Sequence, residues 1–260
     1  MPLSKSRLAA QSLLFAVILF AASAPTGCGV EPVAAQAKPT GLAAVLDQMN
    51  AASAKFTSAQ ADLKQELFTK IVHDTETQTG QIYVQRKGAA AEMGIRLLPS
   101  DAKPGAAPAQ IVLFKNNVAQ SFNPGTNQID ELSATGKNQT TAETVMSLGF
   151  GSSGSDLAKA WTITDQGSEQ MSDGSKTVPV EKLGLVSKDP GIRNNYATHI
   201  TIWVDPARGV SLKQVSYNAS DGTPTGDTRT VYYTNIRLNQ NVDTAQFVIK
   251  CKGKCNVVPH

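Results

Sequence analysis

Alternation of apolar and polar residues is the feature of this sequence that most constrains its fold. It is clearest in one long segment from Ala59 to Ile71, where Ala61, Leu63 and Leu67 fall between polar neighbours. A period of two places successive side chains on opposite faces of a strand. Shorter segments that predict further strands are 81–86, 92–98, 110–115, 118–122, 128–132, 162–165, 176–187, 198–204, 210–218 and 227–238. Turn residues separate most of them, so we predict one large antiparallel sheet of about ten or eleven strands.

Two regions predict helices that accompany this sheet. Before the first strand, apolar residues recur at spacings of three and four, as in an amphipathic helix: Leu42, Val45, Leu46, Met49, Ala52 and Phe56. A second helical region is predicted over residues 141–160, with Ser155 capping its second half after the glycine-rich break 149–154. This break lacks the G-K-[ST] ending of a nucleotide-binding loop, so it favours a hinge or lid over a phosphate site. The expected fold is mostly β with some α.

The amino terminus predicts export. Lys5 and Arg7 precede an apolar stretch from Leu13 to Ala24, which has the order of a secretory signal peptide and is shorter than the ~20 residues that span a bilayer. Residues 25–28, Pro-Thr-Gly-Cys, partly match the site where bacteria attach diacylglycerol to a cysteine, with Pro25 replacing the usual aliphatic residue. We therefore predict a signal peptide at 1–27, a lipidated Cys28 with a flexible tether at 28–39, and one domain at 40–260. Cleavage without lipidation is the alternative.

The remaining cysteines predict a disulfide. Once Cys28 is set aside, Cys251 and Cys255 form an even pair in an oxidising compartment. Zinc binding is the alternative, with His260 nearby, but this C-x3-C spacing lacks the further ligands of a closed site. The sequence therefore predicts neither a metal site nor a cofactor.

Charge and motif content argue against two functional classes. Without Lys5 and Arg7 the chain keeps 22 basic and 21 acidic residues, so a nucleic-acid partner is not expected. The histidines, His73, His199 and His260, lie in no H-E-x-x-H spacing, and there is no G-x-S-x-G motif. We therefore expect no catalytic residues and no enzyme activity.

Three segments together resemble the LolA-like family of outer-membrane lipoprotein carriers. They are the opening LAAVLDQMNAASAKFTSAQADLKQ with DTETQTGQIYVQR, the central MSLGFGSSGSDLAKAW, and the closing WVDPARGVSLKQVSYNASDG with YYTNIRLNQNVD. They span most of residues 42–247. The resemblance rests on the order and spacing of these segments.

The resemblance implies an incomplete β-barrel whose apolar concave face holds acyl chains beneath lid helices. Strand residues expected to line this cavity are Leu63, Leu67, Ile82, Val84, Ile95, Leu97, Ile111 and Leu113. Lid residues expected to cover it are Val145, Met146, Leu148 and Phe150. Carriers of the family also hold the lid closed with an arginine at the end of an early strand. The matching residue here is Arg86, without the family's following proline, and Arg96 is a substitute candidate. Ordinary core packing is the alternative role for the apolar residues.

The resulting hypothesis is a carrier or receptor that binds acyl chains of lipids or lipoproteins, palmitate for example, and moves them towards the outer membrane. We expect a lipoprotein on the periplasmic face of a membrane, held by Cys28 and served by envelope transport proteins; a soluble periplasmic protein is the alternative. A second hypothesis is a sensor of lipid or lipoprotein in envelope-stress signalling that uses the same cavity. Sequence alone does not separate the two.

Overall fold

The computed structural model describes residues 41–88, 90–103, 105–133 and 148–259. In these ranges twelve strands form one open, curved sheet that is not closed into a barrel. The strands are β1 (Ser58–Thr69), β2 (Asp74–Lys87), β3 (Ala90–Leu97), β4 (Gln110–Lys115), β5 (Val118–Asn123), β6 (Gln128–Ser133), β7 (Trp161–Ser172), β8 (Thr177–Ser187), β9 (Ala197–Asp205), β10 (Val210–Ser220), β11 (Thr223–Leu238) and β12 (Asn256–Pro259). The helices are α1 (Leu42–Ser53), α2 (Gly154–Ala160), α3 (Pro190–Asn195) and a 3-10 helix at Thr244–Phe247. The predicted fold class is confirmed.

The order of the strands brings distant parts of the chain together. Across the sheet it is β12-β6-β5-β4-β3-β2-β1-β11-β10-β9-β8-β7. Pairing is antiparallel except between β12 and β6, which run parallel. Two runs of hairpins therefore meet where β1 pairs with β11, with Leu63 opposite Tyr233. This junction places the first strand of the chain in the middle of the sheet.

Several predicted elements differ from the observed ones. Strand β2 begins at Asp74 rather than at residue 81, because polar Thr, Glu and Gln residues continue the hairpin opposite β1. Strand β7 likewise continues to Ser172, past a bulge between Asp165 and Ser168. Both extensions consist mainly of exposed polar residues, which carry no apolar alternation. Parallel strand β12 and helix α3 were not predicted, although Asp189 as N-cap and Pro190 at the first position are helix-start signals.

The helices cover one part of the inner face, which we define as the face carrying Leu63, Ile82 and Ile202. Val45 and Met49 of α1, Leu157 of α2 and Ile192 of α3 are buried in one apolar cluster. Its sheet members include Leu183, Leu185, Ile200 and Ile202. Burial of these apolar stripes against strands β8 and β9 is what fixes the helices to the sheet. None of the described helices has the length and apolar character needed to cross a bilayer.

The opposite, outer face carries the carboxyl-terminal segment. Ile111, Leu113, Phe122 and Ile129 form a buried cluster there, against which Ile249, Cys251 and Cys255 pack. A disulfide joins Cys251 to Cys255, whose Cα atoms are 5.4 Å apart. Asn127 accepts a hydrogen bond from the backbone N–H of Lys252 at 3.0 Å and so holds the disulfide loop against the β5–β6 turn.

Asp173, in the turn between β7 and β8, contacts the turn between β9 and β10 and strand β11. Its carboxylate accepts hydrogen bonds from the backbone N–H groups of Lys176 and Ser175, both at 3.0 Å, and lies 3.1 Å from the guanidinium of Arg208. The backbone N–H of Asn235 donates to its carbonyl at 2.7 Å. The hydrogen bond from Lys176 is the largest of several causes that lower the pKa of Asp173 to about 2.

We expect Asp173→Asn to reduce the free energy of unfolding in a manner that depends on pH. The folded-state pKa of Asp173 lies below the value of about 3.9 for an unfolded chain. Ionised Asp173 therefore stabilises the fold fully above about pH 4, and this contribution is lost as pH falls through 2. Urea unfolding at several pH values should show a difference between wild type and variant that shrinks from pH 4 to pH 2. A difference unchanged across that window would contradict the assignment.

Candidate ligand cavity

A cavity of about 270 Å³ lies on the inner face between strands β4 and β10. Its volume is near the lower end of the range of roughly 300–1,000 Å³ for small-molecule sites. The described residues that line it are Leu63, Gln65, Ile82, Val84, Met93, Ile95, Leu97, Gln110, Val112, Gly149, Phe150, Tyr196, Gln214, Ser216, Arg229, Val231 and Tyr233. Among these, most side chains on β2, β3 and β4 are aliphatic. The cavity therefore has an extended apolar wall.

Most of the sequence-predicted cavity residues lie in this lining. Five strand residues contribute to it: Leu63, Ile82, Val84, Ile95 and Leu97. Phe150, predicted to be in the lid, lines the cavity as well. The register explains the grouping, because Ile82 lies opposite Ala61 on β1 and Ile95 on β3, so their side chains share one face. Their contact with a ligand stays a prediction.

Three predicted cavity residues lie elsewhere. Ile111 and Leu113 face outwards into the cluster that packs on the carboxyl-terminal segment, so their placement in the cavity is wrong. The cause is the register of β4, where Ile95 lies opposite Val112, which makes Val112 the inward residue. Leu67 shares the inner face with Leu63 but lies beyond Gln65, outside the cavity lining.

Sequence reasoning missed the wall contributed by the second half of the chain. Val231 and Tyr233 of β11 and Gln214 of β10 line the cavity beside β1. Val231 and Tyr233 alternate in sequence and so share one face of β11. The pairing of β1 with β11 is needed to show that this is the inner face of the sheet. Tyr196, at the end of α3, is a further lining residue whose position depends on a helix that was not predicted.

Residues 148–153, which we call the cover segment, run across the β10 side of the cavity. The carbonyl of Leu148 accepts hydrogen bonds from Ser211 Oγ at 2.7 Å and from Gln214 Nε2 at 2.9 Å. The ring of Phe150 meets the ring of Tyr233 edge to face, with centroids 5.0 Å apart. Leu148 itself is buried in the helix-covered cluster rather than in the cavity. The other two predicted lid residues, Val145 and Met146, lie outside the described residues, as does Cys28.

The cover segment approaches α1 and β1 closely enough to require glycine. Gly151 has a φ of 72°, in the left-handed region, and a Cβ at this position would overlap the ring of Phe56. The carbonyl of Gly151 accepts a hydrogen bond from the buried Ser53 Oγ at 2.7 Å. After the segment, Ser153 rather than Ser155 is the N-cap of α2, because its side chain accepts the backbone N–H of Asp156 at 3.0 Å.

Arg86 connects the cover segment to α1. Its guanidinium donates to the carbonyl of Gly151 at 2.9 Å and to the carbonyl of Ser53 at 2.9 Å. It also lies 5.5 Å from the centroid of the Phe56 ring. Arg96, the substitute candidate, instead donates to the carbonyl of Ala245 at 2.9 Å on the outer face. Of these two candidates, Arg86 alone is therefore placed to hold the cover segment.

Electrostatically the cavity is nearly neutral. Arg229 is the one residue with a formal charge among the described lining residues. Tyr233 is buried, and this burial raises the pKa of its hydroxyl above the usual value, so it is protonated at neutral pH. Among the described residues no group of three or more histidine, cysteine or acidic side chains is arranged to hold a metal ion. The arrangement suits an apolar molecule with one small polar end.

An open curved sheet with an apolar cavity on its inner face, bordered by the cover segment, defines the structural class of this protein. Comparison with known families gives no match, and no curated protein matches the sequence. Similar solved structures include an uncharacterized protein from Thermus thermophilus (15% identity, 83% of this chain and 97% of that chain covered, TM-score 0.48). They also include a LolA superfamily protein from Nitrosomonas europaea (13% identity, 81% and 99% covered, TM-score 0.38). A third is the complex of MucA and MucB from Pseudomonas aeruginosa (15% identity, 84% and 63% covered, TM-score 0.44).

Proposed function

We propose that this protein is an exported carrier or receptor that shelters an acyl chain of a lipid or lipoprotein in the inner-face cavity. The observation that supports the proposal is the cavity of about 270 Å³ itself, lined by aliphatic side chains of β2, β3 and β4. A fully packed core would leave no such space at the junction of β1 and β11. In this proposal the sheltered group is apolar and is supplied from outside the chain.

The energetics suit an acyl chain. Each methylene transferred from water to an apolar site gains about 0.8 kcal/mol, so a sixteen-carbon chain gains on the order of 10 kcal/mol if fully sheltered. Met93, Ile95 and Val112 are only half-buried and line the cavity, so their exposed surface is available for such contact. The sheet supplies a fixed wall, and the cover segment with Arg86 supplies the closing side.

In this proposal Cys28 carries the lipid anchor and residues 29–39 form the tether. A diacylglyceryl group with an additional acyl chain anchors a protein stably, whereas one chain alone does not. An anchored protein acts as a receptor or acceptor at the periplasmic face of the outer membrane. Without the anchor it acts as a soluble periplasmic carrier.

We expect Val112→Trp to weaken binding of a fluorescent fatty acid at least tenfold. An indole at this position fills much of the cavity while keeping its wall apolar, so it removes space rather than hydrophobicity. The matched control is Val186→Trp, which alters an outward residue of β8 that is 41% exposed. Native mass spectrometry of membrane-extracted protein should show a retained lipid in wild type and in the control but not in Val112→Trp.

The same mass measurement weighs the modification at Cys28. Equal fatty-acid binding by wild type and Val112→Trp would end the cavity proposal. Transfer of the bound lipid to acceptor vesicles identifies a carrier or receptor. A stoichiometric protein partner without lipid transfer would instead identify the sensor.

A further inference from the structure

The cavity is chemically polarised across the sheet. On β2 and β3 its lining residues are the aliphatic Ile82, Val84, Ile95 and Leu97 together with Met93. On β10 and β11 the lining includes Ser216 and Arg229, which are direct cross-strand neighbours. The wall formed by β2 and β3 is therefore apolar, and the opposite side presents a cation beside a hydroxyl.

Arg229 is available to a ligand. Its side chain is exposed, and it forms no hydrogen bond or ion pair with another described residue. The nearby carboxylates are used elsewhere. Asp227 accepts the backbone N–H of Lys70 at 2.8 Å, and Glu76, across β1 on the same face, accepts from Gln78 at 2.9 Å.

A second, independent feature lies beside this arginine. Ser216 is 8% exposed and Tyr233 is 7% exposed, and neither hydroxyl has a hydrogen-bonding partner among the described residues. Neither oxygen is among the completely enclosed polar atoms that lack a partner in the described part of the chain, so each keeps some accessible surface for a new hydrogen bond. Both hydroxyls belong to cavity-lining residues, so a ligand atom is a suitable partner.

We propose that the cavity selects amphiphiles with an anionic headgroup, which binds Arg229 and Ser216 while the acyl chain lies along β2, β3 and β4. This inference rests on the proposed acyl-chain binding and adds the chemistry of the head. A carboxylate or a phosphate matches the donors of a guanidinium with charge-assisted hydrogen bonds. The recognised class is thus a fatty acid or an acidic phospholipid rather than a neutral lipid.

The test is displacement of a neutral fluorescent probe, Nile red, by three ligands with the same chain: dodecanoate, dodecyl phosphate and dodecanol. Wild type should bind the two anions roughly two to five times more tightly than the alcohol, as expected for one partly exposed ion pair. Arg229→Gln should bind all three with the affinity that wild type has for dodecanol. The matched control is Arg237→Gln, which removes an exposed cation from the same strand outside the cavity lining.

The outcomes separate the two proposals. Equal affinity of wild type for all three ligands, or an anion preference that survives in Arg229→Gln, overturns the headgroup assignment and leaves acyl-chain binding intact. Failure of every ligand to displace the probe overturns both. A preference for dodecyl phosphate over dodecanoate assigns the head to a phospholipid, and the reverse assigns it to a free fatty acid. Inorganic phosphate alone should not compete, because it lacks the chain.

Discussion

Replacing Arg86 with methionine is expected to raise the rate of ligand release from the cavity about tenfold. The substitution keeps an unbranched side chain but removes the two hydrogen bonds that join the carbonyls of Ser53 and Gly151. Hydrogen bonds from charged donors contribute about 1.5–3 kcal/mol when sheltered. Because Arg86 is exposed, we expect the free energy lost on its replacement to be near the lower end of this range. A loss of about 1.4 kcal/mol corresponds to a factor of ten in rate.

Stopped-flow transfer of a fluorescent fatty acid to vesicles measures this rate. Amide hydrogen exchange should also accelerate at Gly151, whose N–H donates to the carbonyl of Gly209 at 3.2 Å. The matched control is Arg96→Met, which removes a comparable pair of hydrogen bonds to the 3-10 helix on the outer face. Equal release rates in both variants would show that the Arg86 contacts do not close the cavity.

Arg86→Lys adds a test of geometry. Lysine keeps the charge, but its single ammonium does not reproduce the planar fork that reaches two separate carbonyls. We expect this variant to release ligand at a rate between those of wild type and Arg86→Met. A wild-type rate would indicate that charge alone, acting over the Phe56 ring, holds the cover.

The alternation of residues was sufficient to predict the sheet, because its signal is local. From Ala59 to Leu67 each inward residue is apolar or uncharged, and the register with β2 follows from a hairpin. The same signal failed on β4, whose residues from Ile111 to Phe114 are all apolar. In a strand whose residues are all apolar, no polar face shows which side chains point inwards. The inward orientation expected for Ile111 and Leu113 was therefore wrong.

Long-range pairing limited the prediction of the site. Arg229, Val231 and Tyr233 reach the cavity only because β11 pairs with β1, a contact between residues separated by most of the chain. Nothing in the local sequence around Arg229 distinguishes it from Arg237, which lies on the same strand but outside the cavity lining. Arg86 was identified through a family resemblance, and its two carbonyl partners come from backbone geometry that residue types do not encode.

The second large effect is expected for Gly154→Ala, at the first position of α2. A Cβ on Gly154 would overlap the backbone carbonyl and Cα of Leu46 in α1, so the two helices must separate. Backbone atoms cannot yield as a flexible side chain does, and such overpacking costs about 1–3 kcal/mol. This exceeds the gain in helix propensity, at most about 1 kcal/mol, that alanine brings over glycine. Thermal unfolding should therefore shift downwards by several degrees, roughly 2–4 °C for each kcal/mol lost.

Gly149→Ala is the matched control, because Gly149 lies in the cover segment that leads into α2 and a Cβ there would meet Gln214 Nε2 at an ordinary 3.6 Å. We expect its melting temperature to stay near that of wild type.

The contact between α1 and α2 also affects the cavity. Ser155, beside Gly154, donates its backbone N–H to Asn50 Oδ1 of α1 at 3.0 Å. Separation of the helices breaks this hydrogen bond and moves the anchored end of the cover segment, so Gly154→Ala should also weaken fatty-acid binding. A variant with lowered stability but unchanged binding would show that the cover closes independently of the contact between α1 and α2.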